Sequence, residues 1–293
     1  MSENNKSGIL SSDGITVLSL CDGMSCGQIA LKNLGIKVKE YFAYEIKPSA
    51  IYATQLNFPQ TVQLGDVNGF DAEYFKDKKI DILLCGSPCQ DMSNVKHGRE
   101  GIKGKKSSIF YKCADILDAV RPSYFLFENV KSMRNIDRAT ITERLGATPI
   151  MIDSQLVSAQ RRKRYYWTNI PNVEQPNDKG IKLSDILEEN PIVEESISQK
   201  AEITIRKRLD KNFTAINGDK SITITRRGYN SKSTQYVENE RGLRCLTTLE
   251  YRRLQTIPDW YDFGELSKAK ITDLLGDGWT VDVISHILSY IRW

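Results

Sequence analysis

Residues 15–27 read ITVLSLCDGMSCG: six residues of near-continuous hydrophobicity, a turn carrying Gly23, and Gly27 four positions on at the head of an apolar helical pattern. An apolar run of this length bounded by a glycine turn is a strand buried on both faces, and a helix directly after it opens a parallel α/β sheet. Glycine in such a turn lets backbone amides approach a ligand at the helix start. Taken alone the pattern is weak, because a glycine turn after a strand is very often only a tight connection.

The same rhythm continues outward. Apolar runs rich in β-branched and aromatic residues stand at Val38–Glu45, Thr61–Gly65, Ile80–Cys85, Tyr124–Phe127, Thr148–Ile152 and Tyr165–Ile170, and each reads as a strand. Helices fit between them. Ile29, Leu31 and Leu34 form one apolar face closed by Gly35, and Ile109, Ala114, Ile116, Leu117 and Val120 form another that stops before Pro122. The expected class is α/β, a parallel sheet covered by helices.

At 293 residues the chain has room for one large lobe and a smaller one. Residues 1–14, polar and Ser/Asn-rich, read as a disordered lead-in without the apolar stretch of a secretory signal. After Pro171 the α/β rhythm stops: Asn172 to Ser198 carries seven acidic and two basic residues. The first lobe is therefore expected to span 15–171 and 272–293, and the second 172–271. Thr/Ile alternations at Ile203–Ile205 and Ile222–Thr225, with Asn217 and Gly218 between them, predict β-hairpin material. From Thr272 a helical pattern resumes, and Ile284, Ile287, Leu288 and Ile291 are spaced to pack back on the first lobe.

Composition narrows the function classes. Hydrophobic residues are 40% and charged residues 27%, and no apolar run approaches the roughly 20 residues of a membrane span, so a cytoplasmic protein is expected. Six dispersed cysteines lack the spacing of a disulfide scaffold and are expected to be reduced. Neither Cys21 and Cys26 nor Cys85 and Cys89 has a zinc knuckle's two-residue gap, and His97 and His286 are the two histidines, so no metal is expected. Net charge is +4, yet Gln199 to Lys232 alone carries nine Lys/Arg against three Asp/Glu, a local +6. Such a cluster is either a phosphate footprint or a solvated face.

Two more stretches carry chemistry. Residues 82–93, ILLCGSPCQDMS, form an apolar strand that breaks at Pro88 and immediately presents Cys89 at the carboxyl edge, where ligands bind in open α/β sheets. A packing cysteine more usually lies within the apolar run, as Cys85 does. Residues 124–130, YFLFENV, end another apolar run abruptly at Glu128. That carboxylate is either a turn cap or, delivered to the same edge as a thiol, the acid partner of a nucleophile.

Residues 87–90, SPCQ, and 128–130, ENV, about forty residues apart in this order, resemble the signature pair of the cytosine carbon-5 DNA methyltransferases. Further matches follow in the family's order: residues 160–164, QRRKR, resemble its Gln-x-Arg-x-Arg motif, Arg244 through Pro258 its Arg-x-Leu-Thr to Pro pattern, and 276–281, GDGWTV, its last motif. The resemblance spans Ile15 to Ile291 and leaves Pro171 to Leu243 unmatched, where the family keeps its variable target-recognition region. It is closest in type to bacterial or phage enzymes, with some likeness to vertebrate de novo methyltransferases. It implies a Rossmann-like S-adenosylmethionine-dependent methyltransferase sheet with a smaller target-recognition domain.

The resemblance assigns Cys89 as nucleophile, Glu128 as the contact to cytosine N3, and Arg162 and Arg164 as residues steadying the base. It seats S-adenosylmethionine on Cys21, Asp22, Gly23 and Met24, with Glu45 and Ile46 at the ribose and Asp66 and Val67 at the adenine. Pro88, Ile109, Asp277, Gly278 and Trp279 line the rest. Gln160, Arg206, Lys207, Arg208, Arg226, Arg227 and Tyr229 are the expected contacts to double-stranded DNA, with Arg226 and Arg227 suited to guanine edges, Tyr229 to stacking or the backbone, and Arg206, Lys207 and Arg208 to phosphates. A monomer is expected, with a cognate restriction endonuclease as a possible partner. Two departures stand out: the family commonly has Phe at the place of Cys21 and Asn at that of Asp277. Two other readings stay open, a tRNA cytosine methyltransferase on the same scaffold and a non-catalytic DNA-binding relative.

Overall fold

The computed structural model describes residues 13–88, 101–104, 108–192, 197–209, 214–226 and 234–292. The first lobe runs β1 (Ile15–Leu20), α1 (Cys26–Asn33), β2 (Val38–Tyr44), α2 (Pro48–Asn57), β3 (Val62–Gln63), α3 (Ala72–Phe75), β4 (Ile82–Cys85), α4 (Ile109–Val120), β5 (Tyr124–Val130), α5 (Asn135–Leu145), β6 (Ile150–Asp153) and β7 (Lys163–Thr168). These seven strands make one sheet in the order β3-β2-β1-β4-β5-β7-β6. The order reverses between β1 and β4, which opens a crevice at their carboxyl ends, the usual ligand position in open α/β sheets.

All six residues of β1 are buried, as the unbroken apolar run requires. Successive side chains alternate sides: Ile15 and Val17 join one core, with α1 and α9 (Val281–Leu288), and Leu18 and Leu20 join the other, with α4. Gly27 lets α1 pack closely on the sheet, because a Cβ there would press on the Leu84 side chain and force it to shift.

The strands expected from hydrophobicity are all present, but two edges differ. β7 runs antiparallel to both β5 and β6, so the sheet is mixed rather than wholly parallel. Pairing with β7 also carries β5 past Phe127 through Glu128, Asn129 and Val130, and draws Lys163 and Arg164 into a strand although they are charged. Glu128 is thus a strand residue opposite Tyr166, not the end of one.

The second region contains α6 (Gln199–Arg206), β8 (Ala215–Ile216), β9 (Gln235–Asn239) and β10 (Gly242–Cys245), followed by α7 (Thr248–Leu254), α8 (Lys268–Asp277) and α9. The hairpin expectation fails here. Ile203–Ile205 lies inside α6, where Ser198 caps Ala201 and Arg206 pairs with Glu202 four residues before it, local devices that favour helix over a three-residue alternation. Ile222–Thr225 joins no strand: Ile224 N–H donates to Gln160 Oε1 and the Thr223 hydroxyl to Arg161 O. Asn217 and Gly218 do adopt positive φ, 54° and 102°, but they follow a strand that pairs parallel with β9. The return to the first lobe holds: α9 buries Val283, Ile284, Ile287 and Leu288, and Leu254, Ile257 and Tyr261 already lie in that same core. No helix among the described residues is long and apolar enough to cross a membrane.

Candidate active site

Four strand ends meet at the crevice. The turn after β1 puts Cys21 at φ 54° and Gly23 at φ 60°, with open space where a Gly23 side chain would stand. After β2, the Glu45 carboxylate accepts from Gly23 N–H at 2.8 Å through Oε2, and from Ile46 and Lys47 N–H at 2.8 Å each through Oε1. Three backbone donors hold that carboxylate rigidly at the mouth of the turn. Ile46 is 69% exposed beside it. After β3, Asp66 is exposed and caps the short turn over Val67 by accepting from Asn68 N–H.

Asp22 and Met24 face inward instead. Asp22 accepts from the Tyr41 hydroxyl at 2.7 Å and from the Ser25 hydroxyl. Removal from water pushes its carboxyl up to about 6, against the hydrogen bonds from Ser19, Ser25 and Tyr41 that lower it. Met24 is buried, and its carbonyl accepts from the Tyr261 hydroxyl at 2.8 Å. The Cys21 thiol is held well above the usual range, first by the Cys113 thiol and then by burial. Tyr41, Ser25 and Cys113 have no signature in the sequence that marks them as partners of this turn.

Glu128 forms the second half of the site. Its partner on β7 is Tyr166, so Arg164, two residues earlier, shares its face on the diagonal, and Arg164 Nε meets Glu128 Oε1 at 3.0 Å with both side chains largely buried. The other oxygen, Oε2, accepts from the Trp279 indole N–H at 3.0 Å. Next along β5, Asn129 donates to the Ser87 carbonyl and hydroxyl, each at 3.2 Å, and accepts from Val130 N–H at 2.8 Å. Asn129 thereby fixes the turn that leads through Pro88 towards Cys89. Cys85, within β4, is fully buried and its thiol pushed up by burial, as a packing residue should be. Cys89, Arg227 and Tyr229 lie outside the described residues.

Several other expected residues sit elsewhere. Arg162 is 3% exposed and donates to the carbonyls of Ile224, Gly276 and Gly278 at 3.0, 3.0 and 2.9 Å, bracing the second region and α8 against β7. Gln160 is fully buried, its amide bonded to Leu254 O and Gln255 Oε1, so it offers DNA no surface in this arrangement. Arg226 pairs with Asp273 and Asp277, which also hold Lys47. The departure at Asp277 is thus matched by two cations. Arg206 is exposed and pairs with Glu202 and Glu238, whereas beside it Lys207 is exposed and Arg208 half-buried. Ile109 begins α4, half-buried at its first turn.

The sequence matches the family of C-5 cytosine-specific DNA methylases over residues 15–216 and 154–293. It is 29% identical to the type II methyltransferase M.NgoBV of Neisseria gonorrhoeae over 259 residues, 79% of this chain and 60% of that protein. It is 26% identical to M.HpaII of Haemophilus parainfluenzae over 292 residues, 84% of this chain and 80% of the relative. The chain spans about three fifths of the length of the first of these. The fold resembles that of a Spodoptera frugiperda DNMT2 variant, with a TM-score of 0.75 at 21% identity over 94% of this chain and 99% of the other. It also resembles the Entamoeba histolytica methyltransferase EhMeth, with a TM-score of 0.78 at 16% identity over 94% and 97%. With the sheet order, the carboxylate of Glu128 on β5 and a family match running from β1 to the last helix, the chain belongs to the C-5 cytosine-specific DNA methylase family.

Proposed function

We propose that this protein transfers a methyl group from S-adenosylmethionine to carbon 5 of a cytosine flipped out of duplex DNA, with Cys89 as nucleophile and Glu128 at the base's N3. One observation carries the reading. Glu128, gripped by Arg164 and Trp279, stands beside the turn that Asn129 fixes on Ser87, immediately before Cys89 in the sequence.

The residues around the Gly23 turn fit the cofactor: an open glycine cradle, a rigid carboxylate at Glu45 for ribose hydroxyls, and the exposed Ile46 for an apolar ring face. Cys21, Asp66, Val67, Pro88, Ile109, Gly278 and Trp279 complete that seat in this reading. Asp22 and Met24 shape the turn from behind, and Asp277 closes it through its ion pair with Lys47. The bound cofactor supplies an electrophilic methyl group.

Carbon 5 of cytosine is a poor nucleophile. Addition of the Cys89 thiolate to carbon 6 moves the 5,6 electron pair onto carbon 5, while N3 gains a proton at Glu128. Carbon 5 then takes the methyl group and loses its proton, the carbon–sulfur bond breaks to return the thiolate, and N3 gives its proton back to Glu128, which restores the ring. A thiol of ordinary pKa is only roughly 3% thiolate at pH 7, so cationic surroundings are needed to favour the anion. Extruding the base costs a few kcal/mol, offset by contacts in the pocket. The second region, with its basic cluster, is the surface we assign to target recognition.

The test is methyl transfer from S-adenosylmethionine to duplex DNA and, in parallel, to tRNA. Wild-type protein should methylate DNA, and Cys89→Ala should abolish transfer while retaining cofactor binding; DNA carrying 5-fluorocytosine should trap an adduct on Cys89. Turnover by Cys89→Ala, or an adduct mapped to another residue, would sink the mechanism, and activity on tRNA alone would replace the substrate.

A further inference from the structure

We infer that Trp279 is a positioning residue for Glu128, setting the plane of the base-side carboxylate from the cofactor side of the site. This deepens the proposed cytosine reaction and rests on it.

A glutamate held at one oxygen can swing about that contact, since its terminal torsion is broad. Glu128 is held at both: Arg164 Nε takes Oε1 and the Trp279 indole N–H takes Oε2, each at 3.0 Å. The indole N–H donates and accepts nothing, so this contact has one polarity and cannot invert. Trp279 is itself seated narrowly. Gly86 lies under the indole, and a Cβ there would stand 3.2 Å from Nε1, 3.3 Å from Cζ2 and 3.4 Å from Cε2. Gly86 is thus the space that lets the ring reach Glu128, and it directly precedes the residues 87–89 that carry the proposed nucleophile.

The backbone carrying the indole is also pinned. Gly278 O accepts from Arg162 Nη2 at 2.9 Å and Gln255 Nε2 at 3.0 Å, and the Thr280 hydroxyl donates to Gln255 Oε1 at 2.9 Å. Val281 N–H donates to Gln255 O at 3.0 Å. A donor on so braced a segment adds orientation rather than affinity alone, the property a general acid needs. It also explains two neighbouring features without further assumption: why Arg162 and Gln255 spend their hydrogen bonds on this segment, and why residue 86 is glycine at a φ that does not demand one.

Trp279→Phe keeps an aromatic ring and removes the donor. It should lower kcat about tenfold, the fold-change expected for losing a hydrogen bond to a charged group, while the dissociation constant for S-adenosylmethionine moves less than about threefold. Gly86→Ala, which displaces the indole by a few tenths of an ångström without removing an atom, should lower kcat less, and Trp279→Phe with Gly86→Ala should be no slower than Trp279→Phe alone. A kcat that survives Trp279→Phe, or one that falls only in step with cofactor affinity or Tm, overturns the inference. If Trp279→Phe does not fold, Gly86→Ala carries the same split. The contact is read independently of activity by nuclear magnetic resonance of the indole N–H groups: Glu128→Gln should move the Trp279 signal and leave that of Trp167, bonded to Thr142, in place. A Trp279 signal indifferent to Glu128→Gln also overturns it. Wild-type protein that transfers no methyl group to DNA would defeat the proposed function, whereas active wild type with an unimpaired Trp279→Phe defeats this inference alone.

Discussion

Asp22 shows how one buried carboxylate can hold the turn after β1 from behind. Its oxygens are taken by Tyr41 and Ser25, and removal from water pushes its carboxyl from 3.8 up to about 6. A raised carboxyl pKa means that the folded state binds more protons than the unfolded chain between about pH 4 and pH 6. The stabilisation from this group is therefore full below about pH 4 and is lost as the pH rises through about 6. Melting temperatures of wild type and Asp22→Asn, measured from pH 7 to pH 5, should diverge, with wild type gaining relative to the variant as acid is added. Parallel profiles would show that Asp22 titrates as an ordinary exposed carboxylate. The sequence marked Asp22 as a turn residue, but its inward partners come from β2 and from the start of α1, and a single aspartate code says nothing of which way the side chain turns.

At the scale of elements, the junction of β10 and α7 depends on one buried ion pair. Arg244 reaches Glu250 with two hydrogen bonds of 2.7 and 2.8 Å, and the side chains are 7% and 0% exposed. Glu250 also accepts from Thr247 N–H at 2.9 Å, closing the capping box of α7, and from Glu188 N–H at 3.0 Å. Arg244, Thr247 and Glu250 of this pattern are thereby engaged in holding α7 against β10 and the backbone at Glu188. Arg244→Ala strands a buried charge and should cost about 3–5 kcal/mol in denaturant unfolding, part of which Glu250→Gln in the same chain should recover. A cost below about 1 kcal/mol would mean that water reaches the carboxylate. The pattern was legible as a motif; its work as a clamp needed the strand and helix to be seen together.

For the whole molecule, charge links the two regions. Lys47, two residues after Glu45, and Arg226, in the second region, share Asp273 and Asp277 of α8. The crossing is tight, since a Cβ on Gly276 would lie 2.3 Å from the carbonyl carbon of Thr225. Arg226 was expected to read guanine, and its guanidinium is already committed here, so its effect on sequence choice acts through placement of its segment. The exposed cluster divides in the same way. Arg206 is neutralised by Glu202 and Glu238, whereas Lys207 is exposed, so Lys207→Ala should weaken binding to every DNA sequence and reduce the salt slope by about one, and Arg206→Ala should change it less. Binding to a randomised DNA library across a salt series measures both; an unchanged slope for Lys207→Ala would make this cluster a solvated face.

The sequence by itself determined the seven strands, helices between them, the run that carries Glu128 and the family, because apolar periodicity, glycine turns and short motifs are local properties that survive in one dimension; the end it expected at Phe127 was moved to Val130 by pairing with β7. Only the tertiary structure decided that β7 runs antiparallel and sets Arg164 diagonally beside Glu128, that Trp279 meets the same carboxylate from 151 residues away, and that Gln160 and Arg162 turn inward as braces. It also turned Ile203–Ile205 into helix. Register and packing between distant segments select among side-chain directions that are equally open to the isolated chain, and an arginine that binds a phosphate is spelled the same as one that binds three carbonyls.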